Sequence, residues 1–279
     1  MTDYSRPMQG DVMKVTSHDG AEIHTVSAGS GEKTVVLAHG YGFHLDGWND
    51  VADLLVDAGM RVVAFDQRGH GRSTIGSDGV GSAQMAGDYA AVLEAHDVQD
   101  GVLVGHSMGG FLSITFLLSE LEATSRVGSL LLMATFAGNV AHKSPQNKMQ
   151  IPMIKSGILV RLLGFKPVAG AFTKSLVGKG FEHGMVDGFV PGFRKTDHDR
   201  LIPILEAMVN EDRYGRLGEL DLPATVVIGT LDKTTPPFHT ADLHKGIKGS
   251  RLVTLEDMGH SLNWEAPDVI AREAIRLAG

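Results

Sequence analysis

The sequence predicts an α/β fold: a mostly parallel eight-stranded sheet, helices on both faces, and a helical cap inserted late in the chain. Three observations lead there. Short, wholly apolar runs of the kind that buried parallel strands need recur along the chain. Stretches with helical periodicity lie between most of them. One long stretch then breaks this alternation.

Taken in order, the first dozen residues are polar and are expected to fray. Residues 13–17 and 22–27 are short extended runs around His18-Asp19-Gly20. Asp-Gly between such runs predicts a hairpin, which would add antiparallel strands at one sheet edge. Buried strands are predicted at 34–38, 61–65, 102–104, 129–133, 225–228 and 251–255, and helices at 48–58, 82–96, 108–119, 239–245 and 267–277. This alternation implies right-handed crossovers and two helical layers. Residues 139–216 carry no obvious strand and several Gly and Pro residues, and they are too long for a loop. They are expected to form a cap with helices near 149–163, 168–177 and 197–210, inserted in a core domain made of 1–138 and 217–279.

Composition bounds the function. A chain of 279 residues suits one large α/β domain with an insertion. The net charge of −8 disfavours a nucleic-acid surface. With no cysteine, disulfides, thiolate catalysis and Cys-ligated metals are excluded. No secretory leader and no bilayer-length apolar run is recognisable, so a cytoplasmic protein without membrane partners is expected. The expected partner is a small molecule, and the expected state a monomer or small homo-oligomer.

The chemistry is carried by Val102-Leu103-Val104-Gly105-His106-Ser107-Met108-Gly109-Gly110. It reads as strand, Gly-x-Ser-x-Gly turn, then apolar helix. A serine on such a turn is strained, with its Oγ exposed, and the glycines leave room for neighbouring backbone. The helix N-terminus behind it offers N–H groups suited to an oxyanion.

Three further segments complete a pattern: His39-Gly40-Tyr41-Gly42 after one strand, Asp66 to Ser73 (Asp-Gln-Arg-Gly-His-Gly-Arg-Ser) after the next, and Met258-Gly259-His260 after the last. With these motifs in this order, the chain resembles the α/β-hydrolase superfamily over nearly its full length. It looks most like the bacterial carboxylesterase, non-haem haloperoxidase and lactonase branch. The resemblance implies an α/β-hydrolase fold, no metal or organic cofactor, and an oxyanion hole formed by the backbone N–H groups of Tyr41 and Met108.

A serine hydroxyl needs an adjacent base. In this fold the triad order is Ser, then Asp or Glu, then His. His260, on a glycine-containing loop after the final strand, is the expected general base. Asp232, directly after the buried strand 225–228, is the expected acid. Residues 134–138, where some family members place the acid, hold no carboxylate. Asp257 and Glu256 lie too near His260 in the chain to orient it. His106 reads as a packed histidine and His39 as a brace for the oxyanion loop. Asp66 and Arg68 are expected to build their own loop through mutual or backbone hydrogen bonds, and His70 is undecided. In the cap, Ile151, Ile154, Leu159, Leu162, Phe165, Phe172, Leu176 and Phe189 are candidate pocket residues, most of them expected to pack the cap on the core.

The expected activity is hydrolysis of short or medium acyl esters through an acyl-enzyme on Ser107. Carbon–carbon hydrolysis, lactone hydrolysis and cofactor-free haloperoxidase chemistry use the same triad and stay open, as does a low-turnover ligand receptor. Epoxide hydrolases and haloalkane dehalogenases need a carboxylate where Ser107 stands.

Overall fold

Asp19-Gly20 turns the chain between β1 (Asp11–Thr16) and β2 (Glu22–Ala28), which pair antiparallel. The computed structural model describes residues 2–119 and 121–279. After the hairpin the chain runs through β3 (Thr34–Ala38), α1 (Asn49–Asp57), β4 (Arg61–Phe65), α2 (Ser82–Ala95), β5 (Gly101–His106), α3 (Met108–Leu117) and β6 (Val127–Met133). The helical insertion follows, with α4 (Pro145–Lys155), α5 (Ile158–Leu162), α6 (Lys166–Ser175), α7 (Gly184–Lys195) and α8 (Ile202–Asn210). The chain then returns through β7 (Ala224–Gly229), α9 (Pro237–Gly246), β8 (Arg251–Leu255), α10 (Leu262–Glu265) and α11 (Pro267–Ala278). The eight strands form one sheet in the order β1-β2-β4-β3-β5-β6-β7-β8. From β4 onward every pair is parallel.

Alternation along the strands divides the core. Val36 and Leu103 face one side with Met85, Tyr89 and Phe111 of α2 and α3. Val35, Leu37, Val102 and Val104 face the other, with Leu55 of α1 and Ile270 and Ala274 of α11. Both faces are covered, which is why these strands read as unbroken apolar runs.

The structure differs from the sequence expectation in four places. The N-terminal segment does not fray. Tyr4 and Met8 are buried, Tyr4 packs edge-on against Trp264, and the Met8 N–H donates to Asp46 Oδ1 at 2.8 Å. Two apolar anchors outweigh a polar average. The helix expected over 149–163 is broken, because Gly157 adopts a left-handed conformation (φ 69°) between α4 and α5. Helix α7 was not anticipated, since it contains Gly184, Gly188, Gly192 and Pro191. Its glycines line one stripe against Tyr4 and His44, where a Cβ at Gly188 would stand 2.6 Å from Tyr4 O. Its other stripe buries Met185, Phe189 and Phe193, so tertiary packing overrides weak propensity.

Asp66 and Arg68 do not bond to each other. Asp66 accepts the N–H groups of Leu45 and Arg72, each at 2.8 Å. The fully buried Arg68 grips Asp19 in the hairpin turn and Asp88 on α2, and also donates to Gly79 O, so all five of its N–H groups are used. That ion triad pins the hairpin to the helical layer.

Candidate active site

Ser107 stands at the junction of β5 and α3 with φ 53° and ψ −120°, a strained conformation for a residue with a Cβ. The turn is possible only because its glycines touch backbone. A Cβ on Gly105 would lie 2.5 Å from Gly110 Cα, and one on Gly109 would lie 2.2 Å from Ala38 O. The Ser107 carbonyl accepts from Thr135 Oγ1 at 2.5 Å, and its N–H donates to Met133 O at 3.2 Å. These contacts with the surrounding sheet hold the strained turn in place.

The structure brings Ser107, His260 and Asp232 together. His260 Nε2 is 3.0 Å from Ser107 Oγ, and His260 Nδ1 is 2.9 Å from Asp232 Oδ2. All three residues are buried. A carboxylate at Nδ1 makes that nitrogen the protonated one, leaving Nε2 as acceptor for the serine hydroxyl. Asp232 is itself fixed: Oδ1 accepts the N–H groups of Thr234 and Thr235 at 2.8 and 2.9 Å, and Oδ2 accepts Thr235 Oγ1 at 2.7 Å. Asp257 lies on an exposed stretch and pairs with Lys179 at 2.9 Å, while Glu256 accepts from Thr230 at 3.4 Å. Among the described residues Asp232 is the one carboxylate bonded to His260.

The backbone of His260 is held at both ends. Its N–H donates to Leu176 O in the insertion at 2.9 Å. Its C=O accepts from His106 Nε2 at 3.0 Å. Burial first, and the neighbouring His260 second, keep His106 well below the usual imidazole range, so it packs there uncharged. His39 is likewise held neutral by burial. Its Nδ1–H donates to Gly40 O at 2.8 Å, and its Nε2 accepts the Gln67 N–H at 2.9 Å. These bonds brace the Gly40-Tyr41 turn.

Met108 opens α3, where N–H groups lack intrahelical partners. Among the described residues, neither its N–H nor that of Tyr41 donates in the turn, loop and cap hydrogen bonds. The Tyr41 hydroxyl turns away and donates to His198 Nδ1 at 2.8 Å. His70 is packed edge-on against His39 and Tyr41, with Nε2 buried and unpartnered. Burial pushes its pKa down to about 4.

A cavity of about 80 Å³ opens at Ser107 and His260. Core residues Phe43 and Phe136 form one wall. From the insertion come Ile151, Ile154, Phe172, Leu176, Phe189, Phe193, Leu205 and Met208. Five of the eight apolar candidates therefore line the cavity, more than the packing expectation allowed. Leu159 is buried elsewhere, Leu162 is outside the lining, and Phe165 is exposed. The remaining polar lining is neutral: Tyr41, Asn147, Gln150 and Thr234. Sequence reasoning missed Phe193, Asn147 and Gln150. The i, i+4 pair Phe189/Phe193 was the available signal for the first of them.

One group with metal-ligand spacing, His18, Asp19 and Asp78, exists among the described residues. Asp19 there is already gripped by the Arg68 guanidinium, which repels a cation.

The strained serine, the histidine and the carboxylate at this sheet edge define a class, and comparison with known proteins agrees. The model of the Alpha/beta hydrolase family matches residues 35–273, and the chain belongs to that family. It is 32% identical over 228 residues to a non-heme chloroperoxidase of Kitasatospora aureofaciens, covering 79% of this chain and 82% of the relative. It is 31% identical over 259 residues to a 2-hydroxy-6-oxononadienedioate/2-hydroxy-6-oxononatrienedioate hydrolase of Klebsiella pneumoniae, covering 88% and 87%. An esterase from Exiguobacterium antarcticum superposes with TM-score 0.83 at 22% identity, covering 97% of this chain and 99% of that one. An enol-lactonase from Burkholderia xenovorans gives 0.80 at 23%, covering 95% and 99%. Those two likenesses show the fold. At the level of the family the protein is a hydrolase. No helix among the described residues is long and apolar enough to cross a membrane.

Proposed function

We propose that this protein is a serine esterase acting on small neutral esters with a short acyl chain. One observation carries the reading: the Ser107–His260–Asp232 relay opens into a small apolar cavity with no Lys, Arg, Asp or Glu in its wall. Its volume of about 80 Å³, below the roughly 150 Å³ that admits a benzene ring, favours a short acyl group inside the cavity with the alcohol part left outside it. A doubly charged dioate, of the kind named for the Klebsiella relative, would lose its hydration there without meeting a cation. Carbon–carbon hydrolysis of such a substrate is therefore disfavoured.

In the proposed reaction His260 Nε2 takes the Ser107 proton as Oγ bonds to the ester carbonyl carbon. The Tyr41 and Met108 N–H groups receive the oxyanion. Collapse expels the alcohol, which carries away the proton from His260. Water, deprotonated by His260, then releases the acid and restores Ser107.

The test is hydrolysis of a graded series of p-nitrophenyl esters, with Ser107→Ala alongside. Rates should peak at short chains and vanish in the variant. Intact esters throughout, or equal rates for the two proteins, would refute the esterase reading.

A further inference from the structure

The placement of His260 depends on the insertion. Leu176 O, at the end of α6, accepts the N–H groups of both His260 and Ser261, at 2.9 and 3.0 Å. Three residues on, the Lys179 N–H donates to Asp257 O at 2.9 Å. Between these contacts the two backbones touch. A Cβ on Gly178 would lie 2.0 Å from Asp257 O, and one on Gly259 would lie 2.5 Å from Gly178 N. That close approach leaves the Gly178 and Gly259 N–H groups needing an acceptor.

Glu265, on α10, supplies it. Its Oε2 accepts Gly178 N–H at 2.6 Å and Gly259 N–H at 2.8 Å, while its Oε1 accepts Ser261 N–H at 3.2 Å. One carboxylate thus receives N–H groups from the insertion and from both chain neighbours of His260. A charged acceptor makes these bonds stronger than neutral ones. We propose that Glu265 is a positioning residue, whose carboxylate locks the 176–179 segment to the 257–261 loop and so sets where His260 stands relative to Ser107.

This inference rests on reading His260 as the base that activates Ser107. Without Glu265 two backbone N–H groups lose their shared acceptor and the segments separate. The imidazole then drifts from Ser107 Oγ, although no atom of the relay has been removed. Misplacement of about 1 Å costs on the order of 10²-fold in rate. The amide of Glu265→Gln presents N–H to N–H on one side and so breaks part of the bridge. Glu265→Asp keeps the charge but withdraws it by one methylene.

The experiment is labelling with a fluorophosphonate, which reacts with an activated serine whatever the natural substrate. Wild type, Ser107→Ala, Glu265→Gln and Glu265→Asp are compared, with kcat and KM for p-nitrophenyl butyrate expressed per labelled site. Glu265→Gln should lower both the labelling rate and the per-site kcat about 10- to 100-fold with KM within about twofold, and Glu265→Asp should fall between it and wild type. A folded Glu265→Gln protein that labels at the wild-type rate overturns the proposal. So does one with fewer labelled sites but an intact rate per site, which is what a merely structural glutamate would produce. If Glu265→Gln does not fold, Glu265→Asp decides by the same criteria. Wild type that fails to label at Ser107 overturns the hydrolytic reading, and this one with it.

Discussion

A Cβ on Gly109, two residues after Ser107, would stand 2.2 Å from Ala38 O, whereas a Cβ on Gly170, in α6, would meet nothing within 4 Å. At the elbow, backbone presses on backbone, and few residue types are admissible. Where the insertion lines the cavity, side chains pack on side chains, as in the mutual contacts of Phe172, Phe189 and Phe193. Many apolar combinations would fill that space. The first region holds Ser107, the proposed nucleophile, and the second supplies much of the cavity wall beside it. Evolution of substrate choice within such a fold can therefore proceed in the insertion while the elbow stays fixed.

The contrast can be broken most sharply at the relay. Asp232→Asn retains shape but reverses the tautomer of His260, and kcat should fall about 10⁴-fold with the fold intact, as read by steady-state kinetics and circular dichroism. The insertion should respond differently. Phe193 is 2% exposed between Tyr41, His198 and its two phenylalanine neighbours. Phe193→Ala should lower stability by about 3–5 kcal/mol in urea titration and move the ester optimum to longer acyl chains, with activity retained.

Acid should weaken the core through its buried imidazoles. Burial pushes both His70 and His239 down to about 4, His239 helped by nearby His142. Folded-state values below the unfolded value of about 6.5 mean that the unfolded chain takes up protons first. Stability should be flat above pH ~6.5 and fall as pH drops toward ~4, by up to about 3 kcal/mol per group. Urea midpoints across that range test this, and His70→Phe should flatten the slope. The smallest pair returns to the glycines. Gly109→Ala should destabilise by about 1–3 kcal/mol, whereas Gly170→Ala should stabilise by about 0.5–1 kcal/mol, read as shifts of Tm in opposite directions.

The same contrast explains what was legible in the sequence. The strand-turn-helix around Ser107, the edge hairpin and the six parallel strands follow from steric and periodic rules that act over a few residues. Ser107 was nameable from that turn, and His260 and Asp232 from the triad order that the family resemblance implies; the structure places the three in hydrogen-bonding contact. Helix α7 was invisible because its glycines serve contacts with Tyr4 and His44, far away in the chain. Asp19 and Asp88 as partners of Arg68, and Glu265 as acceptor for Gly178, are likewise long-range pairings that leave no local period. The buried anchors Tyr4 and Met8 are single residues in a polar stretch, too few to form a pattern.

The most direct test of the proposed chemistry is to quench the protein in acid during turnover of p-nitrophenyl butyrate and locate the acyl group by peptide mass spectrometry. A butyryl adduct on Ser107, accumulating in His260→Ala only if the ester is highly activated, is the predicted result. Ester cleavage with no adduct on Ser107, or with the acyl group on another residue, would contradict it.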